Sequence, residues 1–347
     1  MEVLILYNEP VLSRDDPDWA AEAGVLDAVD TVASALALRG HSVSRLGVGT
    51  SLCEFLDTLS RISPPDVVFN LFEGLGGVGR GEAEVTGLVE LLGYPLTGCS
   101  GECLSLVRHK ARTKWLLAGA GLPTPEFVFV GPGDPIDSRP LRELVAAGPV
   151  IVKPAHEDAS LGVGRESIVT ARKELAGRIK IVRDRYGPVL VERFIVGREF
   201  NAAVVALGEP ELLPLAEIEF LPSDGELGWQ IVSYDAKWSP GSADDRATPA
   251  RCPARVDAAT LARIRQWSIA AFRLTGCRDY ARVDMRMDEQ GRIFILEVNG
   301  NPDIGPTAGF APALRVAGVD YEDFVDRIVQ QALGRRGEKS AVVSESS

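Results

Sequence analysis

Histidine is nearly missing, with three in 347 residues, which argues against metal chemistry built on imidazole ligands. The cysteines are Cys53, Cys99, Cys103, Cys252 and Cys277, an odd number scattered along a long chain, which speaks against a disulfide framework. Cys99 and Cys103 are spaced to face one ion, but no further Cys or His lies close to them in sequence, so a zinc centre is not expected. No apolar run reaches the length that crosses a bilayer. The opening, "MEVLILYNEP", lacks a basic stretch and a cleavage site and reads as a buried strand rather than a signal peptide, so a cytoplasmic location is expected. Basic charge is also short. Against 49 acidic residues stand 37 Lys and Arg, for a net charge of -12. Such a chain repels phosphate backbones, so nucleic acid is not the expected partner, although local Lys and Arg can still gather a small anionic ligand.

What is present suits a globular protein with two or three cores: hydrophobic residues make up 46% and charged residues 25%. "EVLILY" is a strand covered on both faces. "EAGVLDAVDTVASALALRG" has helical spacing and stops at Gly40. "HSVSRL" and "DVVFNLF" are short strands, and "GEAEVTGLVELLG" is another helix. This alternation predicts a small parallel α/β domain over 1–108. A helix over "HKARTKWLLAGAGLP" follows. "PVIVKPAHEDASLGVG" is then a strand running into a glycine-containing loop. "PVLVERFIVGREFNAAVVAL" is a strand, a break and a second strand, and alternation there and in "ELLPLAEIEF" predicts antiparallel pairing. Leu221 to Pro253 is rich in Gly, Pro, Asp and Ser and reads as a lid or a disordered loop. "VDAATLARIRQWSIAAFRLTG" and "DYEDFVDRIVQQALG" are helices, and the charged, Ser-rich residues 335–347 read as a disordered tail.

"RVDMRMDEQGRIFILEVNGNP" reads as two strands joined at "DEQG". Side chains alternate along a strand, so Arg282 and Asp284 share a face, as do Glu297 and Asn299. The turn brings the pairs together as two carboxylates, an amide oxygen and a guanidinium. Hard oxygen ligands of this kind suit Mg²⁺ beside substrate phosphates, with the Arg bracing a transferred phosphoryl group. The alternative is a solvated face of ordinary salt bridges, against which the apolar "IFILEV" argues.

Lys153 ends the strand "PVIVK", and Lys110 starts a helix. Each is placed to meet a phosphate or is simply a surface lysine. Ser160, Gly162 and Gly164 follow Lys153, and glycines let backbone N–H groups approach phosphate oxygens. The spacing is neither a P-loop nor a dinucleotide fingerprint. In "VERFIVGREF", Glu192 and Glu199 flank an apolar break at Phe194 and Ile195 that suits an adenine, with Glu199 accepting a ribose hydroxyl. Two exposed acids beside a turn are the plainer alternative.

Taken in order, "VFNLFEGLGG", "LLGYPLTG", "AGAGLPTP", "VIVKP", "YDAKW", "GCRDYARVDMRM" and "EVNGNP" resemble the D-alanine–D-alanine ligase family of the ATP-grasp superfamily over residues 1–333. The resemblance implies an α/β and α+β ATP-grasp fold with three parts. An N-terminal α/β domain spans 1–108, a central lid 109–196 and a C-terminal domain 197–334, with ATP between the last two. It implies that Lys110, Lys153, Ser160 and Gly162 meet ATP phosphates, that Glu192, Arg193, Phe194 and Ile195 line the adenine hinge, and that Glu199 takes the ribose. Lys237 of "YDAKW" would reach phosphate from a mobile loop. Asp284, Glu297 and Asn299 would hold Mg²⁺, two ions with Mn²⁺ as a substitute, and Arg282 would steady the transferred phosphoryl group. Glu22 would orient a substrate amino group. The implied chemistry is phosphorylation of a carboxylate and displacement of phosphate by an amine, which needs positioning and charge neutralisation more than a nucleophilic side chain. Family members are often dimers.

The substrate half departs from the family. A His-Gly pair is Glu73-Gly74 here, two adjacent serines are Ala159-Ser160, a Tyr after the mobile-loop lysine is Trp238, and Pro-Gly-Met-Thr is replaced by Pro302-Asp303-Ile304, with Ala308 where a carboxylate-binding Ser would stand. A site without that hydroxyl should reject a D-alanine acceptor. Glu73 and Asp303 are therefore expected at the substrates, holding a cationic or amine-rich molecule, or else Asp303 assists the metal. The rival readings are a true D-alanine–D-alanine ligase, a nucleotide-binding regulator without catalysis, and a kinase that stops at a phosphorylated product.

Overall fold

The apolar run near the start forms the strand Glu2–Asn8, the middle of a parallel three-stranded sheet. The computed structural model describes residues 1–347 except 17, 77, 78, 80, 159, 223–227, 240, 306–308 and 345–347, and of 336–344 only the backbone. The neighbours of this strand are Ser42–Val48 and Val67–Leu71. Its apolar side chains do not alternate because both faces are covered. Val3 and Ile5 pack with the helix Val25–Leu38, and Leu4 and Leu6 with Phe55 and Leu59 of the helix Leu52–Arg61. The expected first helix is split at Gly24 into Trp19–Ala23 and Val25–Leu38. A Cβ on Gly24 would lie 2.5 Å from the ring of Trp238, so the chain needs glycine there. Gly40 ends the second piece with φ +79°, as its position predicts.

A four-stranded antiparallel sheet follows, in the order Phe127–Val130, Val189–Arg193, Val150–Pro154 and Ile168–Val169. Helices Arg139–Ala146 and Arg172–Tyr186 cover one face, where Leu141, Leu144, Leu175 and Ile179 pack on Val150, Val152, Val189 and Val191. The other face looks into a cleft.

The third sheet has six strands and is antiparallel. Ala250–Arg251, Ala216–Ile218, Gly197–Ala206, Asp279–Asp288 and Ile293–Asn299 run in that order, with Glu211–Leu212 beside Gly197–Ala206. Phe200, Val204, Val283, Met285 and Ile295 pack against the helix Ala258–Leu274 and against Leu104, Val107 and Leu117 of the helices Gly101–Arg108 and Lys110–Gly119. Toward one end, the opposite face meets the first sheet through Tyr280, Phe310 and Phe324. Toward the other end it is the floor of the cleft.

The hairpin turns at "DEQG" as expected, with Gly291 at φ +76°. Its register pairs Arg282 with Asn299 and Asp284 with Glu297, then shifts, so that Met285 pairs with Ile295 and Leu296 is the extra residue of a bulge. Strict alternation would put Ile293, Ile295, Glu297 and Asn299 on one face. The bulge changes face midway. Ile293 and Ile295 stay in the core, while Leu296, Glu297 and Asn299 line the cleft and Val298 returns to the core.

Two expectations change. Residues 221–253 are not wholly irregular: they hold the short helices Tyr234–Trp238 and Ala243–Ala247, capped by Ser233 and Ser242, and a strand at Ala250–Arg251. The last helix runs Tyr321–Ser344, so the backbone is helical where a disordered tail was expected from 335. "RRGEKSAVV" contains no proline and several good helix formers. Among the described residues no helix is long and apolar enough to cross a membrane.

Asp279 clasps these parts. Fully buried, it accepts the Gly98 N–H at 2.7 Å and Gln331 Nε2 at 3.1 Å, and it pairs with Arg335 at 2.5 Å and 2.9 Å. Asp279→Ala strands Arg335 and should cost about 3 kcal/mol or more, read as a lower urea midpoint. An unchanged midpoint would show that the clasp contributes nothing.

Candidate active site

One cavity of about 570 Å³ lies between the second and third sheets, with the first sheet's loops at one end. Arg282, Asp284 and Arg286 reach it from Asp279–Asp288, Glu199 and Asn201 from Gly197–Ala206, and Glu297 and Asn299 from beyond the bulge. Arg282 holds Asp284 with two bonds, Nε to Oδ1 at 2.7 Å and Nη2 to Oδ2 at 2.9 Å. Asn201 Nδ2 donates to Asp284 Oδ1 at 2.8 Å. Asn299 Oδ1 accepts the Asn301 N–H at 3.0 Å, and Asn301 Nδ2 ties the turn to Phe72 O and to Glu82.

Lys110 is the first residue of its helix, as expected. Its Nζ meets Asp158 and stands 3.3 Å from Glu297 Oε2. Burial tends to raise the Glu297 carboxyl, but Lys110, Lys153, Lys237 and Arg282 outweigh it and hold the group well below the usual carboxylate range. Burial lowers Lys110, but Asp158 and Glu297 more than reverse this and keep it protonated. The wall therefore presents an anionic Glu297 among fixed cations.

Lys153, at the end of Val150–Pro154, is 2.6 Å from Glu192 Oε1. Glu192 Oε2 is 2.7 Å from Lys114, which also donates to Thr124 Oγ1 at 2.8 Å, and Thr124 donates to Ile295 O at 2.9 Å. The sequence reading placed Glu192 at a hinge. Its carboxylate instead sits between two buried lysines and joins the middle sheet to the strand that carries Glu297. Lys114 went unread because it sits four positions after Lys110 in an ordinary helix.

Phe194 and Ile195 join Ile151, Ile168 and Ile231 in a small apolar cluster at the cavity wall, a slot wide enough for an aromatic base. Arg193 also lines the cavity and lies 3.9 Å from Glu126. Arg286 was missed in sequence. Its guanidinium stacks 4.7 Å from Phe194 and donates to Ile195 O at 2.7 Å. It also holds Glu199 Oε2 at 2.8 Å and 2.7 Å, which leaves Glu199 Oε1 for another donor. The alternation of Arg282, Asp284 and Arg286 along one strand face was the available signal.

In the loop after Lys153, Ser160 lines the cavity and Gly162 does not. Ser160 Oγ donates to Val232 O at 3.1 Å, and Gly162 lies behind the cavity lining with φ +69°, where a Cβ would meet Tyr186 at 2.6 Å. Gly162 thus shapes the turn, while Leu161 and Val163 line the cavity. Lys237 reaches the cavity from Tyr234–Trp238. Glu22 lines the far end, but one of its oxygens accepts the N–H groups of Val11 at 3.0 Å and Leu12 at 2.8 Å. Ala159 and Ala308 lie outside the described residues.

Glu73 and Asp303 stand close together in the same end of the cavity. Desolvation first, then Asp303 and Glu82, push the Glu73 carboxyl up to about 8. Arg108, which pulls the other way, is bonded to Glu82 at 2.7 Å. Burial also raises Asp303, against the Gly305 N–H and Arg282.

Cys99 and Cys103 have a third neighbour that sequence distance hid. Their sulfurs and that of Cys277 all lie within 4.8 Å of one another, with Cys103 to Cys277 at 3.6 Å. Mutual hydrogen bonds and burial keep these three as protonated thiols in the core beneath Gly300.

The family model described as "D-ala D-ala ligase C-terminus" matches residues 116–330. The chain is 34% identical over 315 residues to the "uncharacterized protein y4sG" of Sinorhizobium fredii, covering 87% of this chain and 86% of that one. It is 32% identical over 318 residues to the D-alanine–D-alanine ligase of Pelotomaculum thermopropionicum, covering 89% and 92%. In fold it is similar to the ATP complex of the D-alanine–D-alanine ligase from Bacillus anthracis, with a TM-score of 0.76 at 19% identity, covering 98% of this chain and 99% of that one. It is also similar to the VanG D-Ala:D-Ser ligase of Enterococcus faecalis, with a TM-score of 0.72 at 19% identity, covering 95% and 99%.

The raised Glu73 carboxyl makes stability depend on pH. Unfolded, the group titrates near 4.5; folded, near 8. Its contribution is fully present below about pH 4.5 and is lost as pH rises toward 8. Between pH 5 and 8 the wild type should therefore lose thermal stability relative to Glu73→Gln. Parallel melting curves across that range would contradict the assignment.

Proposed function

The chain belongs to the D-alanine–D-alanine ligase family, an ATP-grasp family of ligases that form carbon–nitrogen bonds, and from that premise we propose that it activates a carboxylate as an acyl phosphate and joins it to an amine other than D-alanine. The observation that carries this reading is a single cavity with an apolar slot at Phe194 and Ile195 at one end, a wall of Lys110, Lys153, Lys237 and Arg282 along the middle, and two acids at the other end.

Each group has a task in this reading. The slot takes the adenine, and the free oxygen of Glu199 takes a ribose hydroxyl. Glu192 holds Lys153 at a fixed height, so the ammonium is pre-placed for a phosphate and loses little entropy on binding. Asp284, Glu297 and Asn299 are hard oxygen donors that fit Mg²⁺. When bound, that ion neutralises phosphate charge. Arg282 is oriented by Asp284 and steadies the transferred phosphoryl group. A substrate carboxylate oxygen bonds to the γ-phosphorus as the bond to the β-phosphate oxygen breaks and ADP leaves. The amine nitrogen then bonds to the acyl carbon, phosphate leaves with the electron pair of the C–O bond, and the amine proton passes to solvent. Among the described residues the Asp303 backbone N–H has no hydrogen-bond acceptor, and in this reading it faces the developing oxyanion.

Glu73 and Asp303 support the exclusion of D-alanine as acceptor. A substrate carboxylate brought to that end would face two acids, and the nearby guanidinium of Arg108 is already bonded to Glu82. The relatives named D-alanine–D-alanine ligase favour the opposite reading, and one assay separates the two. Phosphate release from ATP is measured over pairs of amino acids and amines, with mass detection of products. The expected result is an amide product with some pair and silence with D-alanine alone; D-alanyl-D-alanine formed at a comparable rate would overturn the acceptor claim. Glu297→Gln should lower turnover at least about 100-fold with melting unchanged, and a near-normal rate would remove the metal assignment.

A further inference from the structure

We propose that the acidic end of the cavity binds a substrate carrying an extra protonated amine or guanidinium group, lodged between Glu73 and Asp303; this deepens the ligase reading and rests on it. Most cations around the cavity already have partners. Arg108 is engaged by Glu82 at 2.7 Å, Glu157 at 3.5 Å and Asp158 at 3.8 Å. Lys110 is engaged by Asp158 and Glu297, and Lys153 by Glu192. Arg282 holds Asp284 with two bonds. Among the described residues no hydrogen bond or ion pair reaches the Glu73 carboxylate, although it is partly buried in the cavity wall. Asp303 accepts only the Gly305 N–H, at 2.7 Å on Oδ1. Glu73 has no ion-pair partner and its carboxyl is pushed up by burial and by Asp303, which is exposed and feels Arg282 and Lys237; a cation placed between the two acids favours the ionised form of Glu73.

The acids are also held in place. Asn8, at the end of the first strand, accepts the Glu73 N–H at 3.3 Å, and Asp303 is fixed by its own turn through Gly305. The donor set favours an organic cation over a metal. Of the acids near Glu73, Glu82 is already bonded to Arg108 and Asn301, and one oxygen of Asp303 is committed to Gly305. Mg²⁺ demands near-octahedral oxygen coordination, whereas an ammonium needs two or three acceptors in any open arrangement. The matching chemical class is a basic amino acid or a diamine. A neutral molecule of the same shape would leave both carboxylates unpaired, so discrimination should be large.

The test compares ornithine with norvaline and lysine with norleucine, adding arginine and putrescine. Binding is measured by calorimetry on the full chain with Mg²⁺ and a non-hydrolysable ATP analogue, and phosphate release is measured with ATP. The cationic member of each amino-acid pair should bind at least roughly tenfold more tightly. That ratio should collapse in both Glu73→Gln and Asp303→Asn and survive in part in Glu73→Asp. Equal binding within the pairs, no binding of any cation, or an unchanged ratio in the variants would overturn the proposal. So would Mn²⁺ binding, without nucleotide, that Glu73→Gln abolishes, because the acids would then be a metal site. A preference in binding without phosphate release leaves this inference standing and sinks the ligase reading. Phosphate release without a preference does the reverse.

Discussion

A one-residue slip in the pairing of two strands organises the cleft. Through Ile293 and Ile295 the edge strand of the third sheet directs its odd-numbered side chains into the core. The bulge at Leu296 reverses that direction, so that Glu297 and Asn299 emerge beside Arg282 and Asp284 rather than beneath them. Without it, a carboxylate would be forced among Met285, Phe272 and Ile264, at a cost far beyond any gain from pairing. The Thr124 bond to Ile295 O and the Pro123 carbonyl, which accepts the Ile295 N–H at 2.8 Å, pin the strand just before the slip. The Lys114–Glu192–Lys153 relay starts at the same threonine, so the placement of one lysine in the middle sheet and of the acids in the third sheet share an origin.

Charge in the cavity divides into two kinds. In the middle, acids and bases are matched: Glu192 serves two lysines, Lys110 serves two acids and Arg282 serves one. The groups so paired are four cations and four acids, and Lys237 adds a further cation to a wall suited to a polyphosphate. At the substrate end the matching stops, and Glu73 and Asp303 repel one another. The first arrangement is what the family chemistry requires. The second carries the proposed choice of substrate.

The sequence carried the architecture well where periodicity was clean. "EVLILY" could only be a doubly covered strand, and the apolar alternation of "EFNAAVVAL" gave the antiparallel partner of the hairpin. The nearness of Arg282 and Asp284 to Glu297 and Asn299 was read from the turn and from alternation within each strand, but the register of the turn alone would pair Asp284 with Leu296. The bulge was not legible, since nothing in "FILEV" marks which residue is extra. Glu22, Glu192, Glu199 and Ser160 were read as facing ligand; all four line the cavity, and each also has a backbone or side-chain partner that sequence distance concealed. Lys114, Arg286 and Asn201 were overlooked because a lysine in a helix and polar residues within strands look ordinary until the fold buries them. Cys277 joined Cys99 and Cys103 for the same reason: convergence across the chain leaves no local trace.

In the proposed reading the nucleotide site rests on one sheet edge, while substrate choice rests on two loops that end strands of different sheets. The most direct test of the account is a crystal structure with Mn²⁺ and a non-hydrolysable ATP analogue, using the anomalous signal of the metal. The account predicts the base beside Phe194 and Ile195 and an anomalous peak within bonding distance of Asp284, Glu297 and Asn299. A peak elsewhere, with those three side chains still engaged by Arg282, Asn201, Lys110 and Asn301, would contradict it.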